Sequence, residues 1–218
     1  PATLTIAQYE ALINAQAFNG YDGMTNLSDL HTGHYVIADT GSAIQSVFEF
    51  SADHSSLVGA SSVVVTEGQV NLSVDNYESL EFSGNIADTK DFAVVDTVMR
   101  INDGSIDFSA PASVTAEVGG DLDLTGYYQL AAHATDLDLQ GMSGVTLSVE
   151  QVNGLNITNG GSYDVFDAAG PIEGNVTEID GAANVDSYDT VTLTVAEYKE
   201  LADEDTTLQA NYRINDSA

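Results

Sequence analysis

The chain has no cysteine and no tryptophan, three prolines and only four basic residues in 218. Without Cys there is no disulfide staple, no thiol nucleophile and no thiolate-held zinc. Without Trp, a stacking platform for sugars lacks its largest ring. The four bases Lys90, Arg100, Lys199 and Arg213 face 34 Asp and Glu, for a net charge of −30. Nucleic-acid binding needs a basic footprint, so that class of partner is excluded. Docking on anionic lipid is opposed for the same reason. No apolar run approaches the length of about 18 residues that a spanning helix needs, so no membrane insertion is expected. The first residue is Pro1, with no Met and no basic leader; a processed protein, or a segment of a longer one, is expected.

With 43% hydrophobic residues the chain can still build a core, unlike a disordered acidic tail. One nine-residue pattern recurs five times: Leu4-Thr5-Ile6…Tyr9…Leu12, Leu72-Ser73-Val74…Tyr77…Leu80, Leu122-Asp123-Leu124…Tyr127…Leu130, Leu147-Ser148-Val149…Val152…Leu155 and Leu193-Thr194-Val195…Tyr198…Leu201. Upstream alternation, as in Val70-Asn71-Leu72, is the period of a half-buried strand. The polar residue then stands at a helix N-cap. Thr5 with Gln8, Ser148 with Gln151 and Thr194 with Glu197 fit a capping box, Ser73 with Asn76 a weaker one, and Asp123 with Gly126 the cap alone. The Leu before the cap and the residue five later have staple spacing. Short helices are therefore predicted to start at Ile6, Val74, Val149 and Val195.

A second motif, aromatic-x-Val/Ile-x-Asp, occurs at Tyr35–Asp39, Phe92–Asp96, Tyr163–Asp167 and Tyr212–Asp216. It reads as a strand ending in an Asp turn. Further strands are expected at Val63–Thr66, Val114–Glu117, near Leu137 and at Val176–Ile179. The first motifs lie 68, 50, 25 and 46 residues apart, near multiples of one solenoid coil. The expected fold is mainly β: parallel β-solenoid-like repeats with short capped helices, in one repeat-built domain over 1–218. A β-sandwich is the alternative.

Cation sites are sought among the acidic turns. Asp39, Asp96, Asp167 and Asp216 would stack into a carboxylate ladder on a solenoid, with Ca²⁺ relieving the repulsion. The plainer reading is an Asx-turn in which each accepts a backbone N–H. Asn102-Asp103-Gly104…Asp107 and Glu178-Ile179-Asp180-Gly181…Asp186 are two further candidates, although neither matches an EF-hand loop. His31 and His34 offer a weak zinc pair; His54 and His133 stand alone. No Gly-x-Ser-x-Gly elbow is present, and no catalytic residue or organic cofactor is assigned.

The form Leu-Thr-Val-Ala-Glu-Tyr-x-x-Leu followed by Tyr-x-Ile-x-Asp-Ser resembles repeats of very large secreted bacterial surface proteins: S-layer-like, adhesin-like and type I-secreted. The resemblance is best over Leu4–Leu12 with Tyr35–Thr40, and Leu193–Leu201 with Tyr212–Ser217. It implies an extracellular structural or adhesive module, often calcium-stabilised, whose partners are copies of itself, other surface proteins or glycans. A polysaccharide-active β-helix enzyme or a carbohydrate-binding adhesin is the rival expectation.

Overall fold

The computed structural model describes residues 1–19, 35–50, 57, 59–83, 86, 91–120, 122–203, 206–209 and 211–215. Helix and strand take near-equal shares, about 32% and 31%. The fold is thus mixed α/β, which corrects the mainly β expectation. The reason lies in the connections. The strands are mostly parallel, and so is each of the nine pairs whose register is described; parallel neighbours need a crossover, most compactly a helix.

The chain divides into two compact units, Pro1–Asp96 with Ile106–Ser113, and Thr97–Ser105 with Val114–Ala218. In the first, β1 (Ala2–Leu4), α1 (Ile6–Asn19), β2 (Tyr35–Asp39), α2 (Gly41–Phe50) and β3 (Ser62–Val65) alternate, and the strands pair in the order β1-β2-β3. Then β4 (Val70–Leu72), α3 (Val74–Ser83) and β5 (Phe92–Thr97) repeat the scheme. Tyr35, Ile37, Ile44, Val63, Leu72, Tyr77, Leu80 and Phe92 are buried here.

The second unit contains α4 (Val98–Ile101), β6 (Ser113–Glu117), α5 (Leu130–His133), β7 (Asp136–Asp138), β8 (Val145–Leu147), α6 (Val149–Gly154), β9 (Asn156–Thr158), β10 (Tyr163–Asp167), α7 (Ala169–Gly174), β11 (Asn184–Ser187), β12 (Val191–Leu193), α8 (Val195–Asp203), β13 (Thr207–Leu208) and β14 (Tyr212–Ile214). Its sheets run β6-β7-β9, β8-β10-β11-β13 and β12-β14. One core gathers Val149, Val165, Ile172, Val185, Leu193 and Leu201.

The two sequence motifs are the two strands of one parallel pair. Leu4 faces Ile37, Leu72 faces Val94, Leu147 faces Val165 and Leu193 faces Ile214. The register is the same in all four. Each first-motif strand ends at its Leu, and a helix starts two residues on, at the four predicted positions. The boxes form: the Thr5 N–H donates to Gln8 Oε1 at 2.9 Å and the Gln8 N–H to Thr5 Oγ1 at 3.2 Å. Ser148–Gln151 and Thr194–Glu197 repeat this reciprocity, while Ser73 receives the Asn76 N–H. In both outer copies the motif rings stack alike: Tyr9 on Tyr35, and Tyr198 on Tyr212, each 5.2 Å apart at 28°.

Two readings change. Val176–Ile179 is a turn, not a strand. Its buried residues, Val176 and Ile179, stand three apart, and the Glu178 and Ile179 N–H groups both donate to the Asn175 carbonyl, so the segment winds rather than extends. The copy at Leu122 starts no helix; the next one begins at Leu130. Asp123 instead draws in both the N–H and the hydroxyl of Thr125, a local turn that competes with helix capping.

Candidate functional site

The strand-end carboxylates have a function that neither sequence reading described. Asp39 Oδ2 accepts the Ile6 N–H at 3.0 Å, and Oδ1 accepts its neighbour's, Thr40, at 2.8 Å. Asp167 repeats this with Val149 at 3.0 Å and Ala168 at 2.7 Å. Asp96 Oδ2 takes the Val74 N–H at 3.0 Å. The distant donor is in each case the first N–H of the preceding motif's helix, which has no partner within the helix. A carboxylate there is also favoured by the helix dipole. The expectation that each Asp accepts a local backbone N–H accounts for one oxygen, although the donor is the next residue and not the one two on as in an Asx-turn. The other is a clamp across 33, 22 or 18 residues of chain, made possible by the shared register. At Asp39 and Asp167 all four carboxylate oxygens accept a backbone N–H. Asp216 lies outside the described residues.

The other candidates also have partners in the protein. Asn102 Oδ1 accepts the Gln129 N–H at 2.9 Å. Asp103 Oδ1 accepts the Ser105 N–H and hydroxyl at 3.1 and 2.8 Å, and these bonds hold its carboxyl below the usual carboxylate range. Asp107 Oδ1 accepts the Ser109 N–H at 2.9 Å, and Asp186 Oδ1 the Ser187 N–H at 2.8 Å. The Asp180 carbonyl receives the Thr206 hydroxyl at 2.9 Å. Burial first, and then the Asp180 charge, push the Tyr163 phenol up. Among the described residues no group of three or more His, Asp or Glu stands close enough to hold a metal ion. His31, His34 and His54 lie outside the described residues, and His133 Nδ1 is 2.9 Å from the Ile101 carbonyl.

Acidic residues on neighbouring strands meet amides. Asn156 donates to Asp136 at 2.7 Å and Asn184 to Asp164 at 2.6 Å, each directly opposite its partner, while Asn159, just past β9, donates to Asp138 at 2.6 Å. Directly opposed like charges would destabilise the sheet; an amide donor turns the same position into a charge-assisted bond. Edge strands are handled similarly. The Asn71 N–H of β4 donates to Gln45 of α2 at 2.8 Å, and the Thr192 N–H of β12 to Glu173 of α7. Both are the middle residue of a first-motif strand, and a satisfied edge N–H does not recruit another strand.

The second unit also holds a cavity of about 270 Å³, lined in part by Tyr128, Ser148, Glu150, Phe166, Asp167 and Tyr188. Tyr128 and Tyr188 are 79% and 66% exposed. Sequence reading missed this site. Its one signal was alternation, which turns Val165 into the core and Phe166 out of it.

No protein-family model, no curated protein and no solved structure matches this chain. Among the described residues, no helix is long and apolar enough to cross a membrane.

Proposed function

We propose that the chain is a structural or adhesive module of an extracellular bacterial surface assembly, of the S-layer or filament kind, and that each compact unit is a short parallel solenoid of β-α-β coils. One observation carries this reading: the same strand register recurs four times, with a strand-end carboxylate closing the preceding helix wherever that carboxylate is described. Acidic residues at the most regular positions of the chain thus serve backbone hydrogen bonding. Repeats of this kind make extended scaffolds whose stability is a sum over neighbouring units. The remaining acidic exterior keeps the module soluble by self-repulsion. Calcium enters as a counter-ion of that surface, bringing copies together, and not as a ligand of the clamp carboxylates.

The test is sedimentation of the full chain in CaCl₂, in EDTA, and in NaCl of matched ionic strength, alongside turnover assays on neutral and acidic polysaccharides. Reversible association that grows with cation concentration, without turnover, is expected. Turnover abolished by a single carboxylate substitution would replace this reading with a polysaccharide-active enzyme.

A further inference from the structure

We propose that the aromatic cavity of the second unit binds a small organic cation, an alkylated ammonium group. Phe166 and Tyr188 meet with ring centroids 5.6 Å apart and planes tilted by 60°. Tyr128 lines the same space. Large rings left this exposed bury little, so the fold gains little from keeping them aromatic. A cavity that gathers them beside a few polar groups is what a small-ligand site needs.

Charge decides the class of ligand. Both Asp167 oxygens are occupied by backbone N–H groups, yet its negative charge stays in the wall. Glu150 lines the cavity, and its carboxylate has no hydrogen-bond partner among the described residues. The adjacent helix start offers an anion little, because Asp167 and Ser148 already take the Val149 and Gln151 N–H groups. The chain as a whole carries −30, a field that concentrates cations and repels anions. Aromatic faces attract a cation through their quadrupole, and quaternary ammonium groups are the ligands such rings hold best. An alkylammonium group satisfies rings and carboxylate together; an anion satisfies neither.

The probe is tetramethylammonium, titrated into the full chain and followed by the ring resonances of Tyr128, Phe166 and Tyr188. Its uncharged carbon isostere, an alcohol bearing a tert-butyl group, is the control. Saturable shifts of these rings are expected, weaker with the isostere. Tyr188→Ala and Glu150→Gln should each weaken binding about two- to fivefold while leaving the melting temperature unchanged, since both side chains are exposed. Choline and a peptide carrying trimethyllysine then separate a free solute from a modified protein tail. Equal binding of the isostere, unaltered binding by both variants, or shifts with no saturation would overturn the proposal.

Discussion

The Asp167 carboxylate accepts the Val149 N–H at 3.0 Å across a parallel strand pair that sets Leu147 against Val165. Two further steps along that register bring residue 149 opposite residue 167. The bond therefore follows from the pairing itself, and Asp39 with Ile6 and Asp96 with Val74 follow from the same pairing. Replacing Asp167 with Ala leaves two backbone donors without their charged acceptor. The expected loss is about 1.5–3 kcal/mol, read from urea melts. Asp107→Ala removes the acceptor of the Ser109 N–H in an exposed turn and should cost less, about 0.5 kcal/mol. Equal effects would show that the clamp adds nothing to an ordinary Asx-turn.

How far the sequence discloses this fold can be judged at those residues. Helix starts at Ile6, Val74, Val149 and Val195 are legible because a capping box is local chemistry, complete within four residues. The second-motif strands are legible because alternation is local too. The clamp is not, since it joins residues 18 to 33 apart, and only the register reveals it. Val176–Ile179 misleads because β-branched residues suggest a strand, while its buried pair has the spacing of a turn. Phe166 was visible as the outward member of an alternating strand, but the partners that make it a cavity wall, Tyr128 and Tyr188, come from other segments.

The box at Thr194 tests acid sensitivity. Hydrogen bonds from the backbone and side chain of Thr194 hold the Glu197 carboxyl below its ordinary value. Its folded pKa lies under its unfolded one, so its contribution is present above the unfolded value and is lost as pH falls through the folded value. Glu197→Gln rebuilds the box in the neutral form that Gln8 and Gln151 use. The variant should fold as well and lose less stability between neutral and acid pH. Thr194→Ala removes the cap and should cost about 1 kcal/mol at neutral pH, and less in acid, because the Thr194 side chain is one of the groups that hold the Glu197 carboxyl down.

Gly41 sits where a Cβ would come 2.6 Å from the Gln69 carbonyl oxygen, and its own N–H donates to Glu67 at 2.7 Å. The obstacle is backbone, which cannot swing aside. Gly41→Ala should destabilise the first unit by about 1–3 kcal/mol. Gly120→Ala, with nothing within 4 Å, is the control and should melt like the wild type.

Amide–carboxylate pairing across strands predicts a salt-dependent defect. Asn184→Asp replaces a 2.6 Å donor to Asp164 by a second carboxylate. The melting temperature should fall in dilute buffer, and part of the loss should return as NaCl shortens the screening length to a few ångströms near 1 M. A defect that ignores salt would mean that packing, not charge, sets the choice of Asn.

The most direct measurement is amide hydrogen exchange at Ile6, Val74 and Val149, in the wild type and in Asp39→Ala, Asp96→Ala and Asp167→Ala. If each strand-end carboxylate closes its own helix, each variant speeds exchange at its own helix start by about ten- to hundredfold, the equivalent of about 1.5–3 kcal/mol of local opening. The other two helix starts should keep their wild-type rates. Unchanged exchange at all three, or one uniform increase throughout the chain in every variant, would contradict the clamp as the recurring bond of this fold.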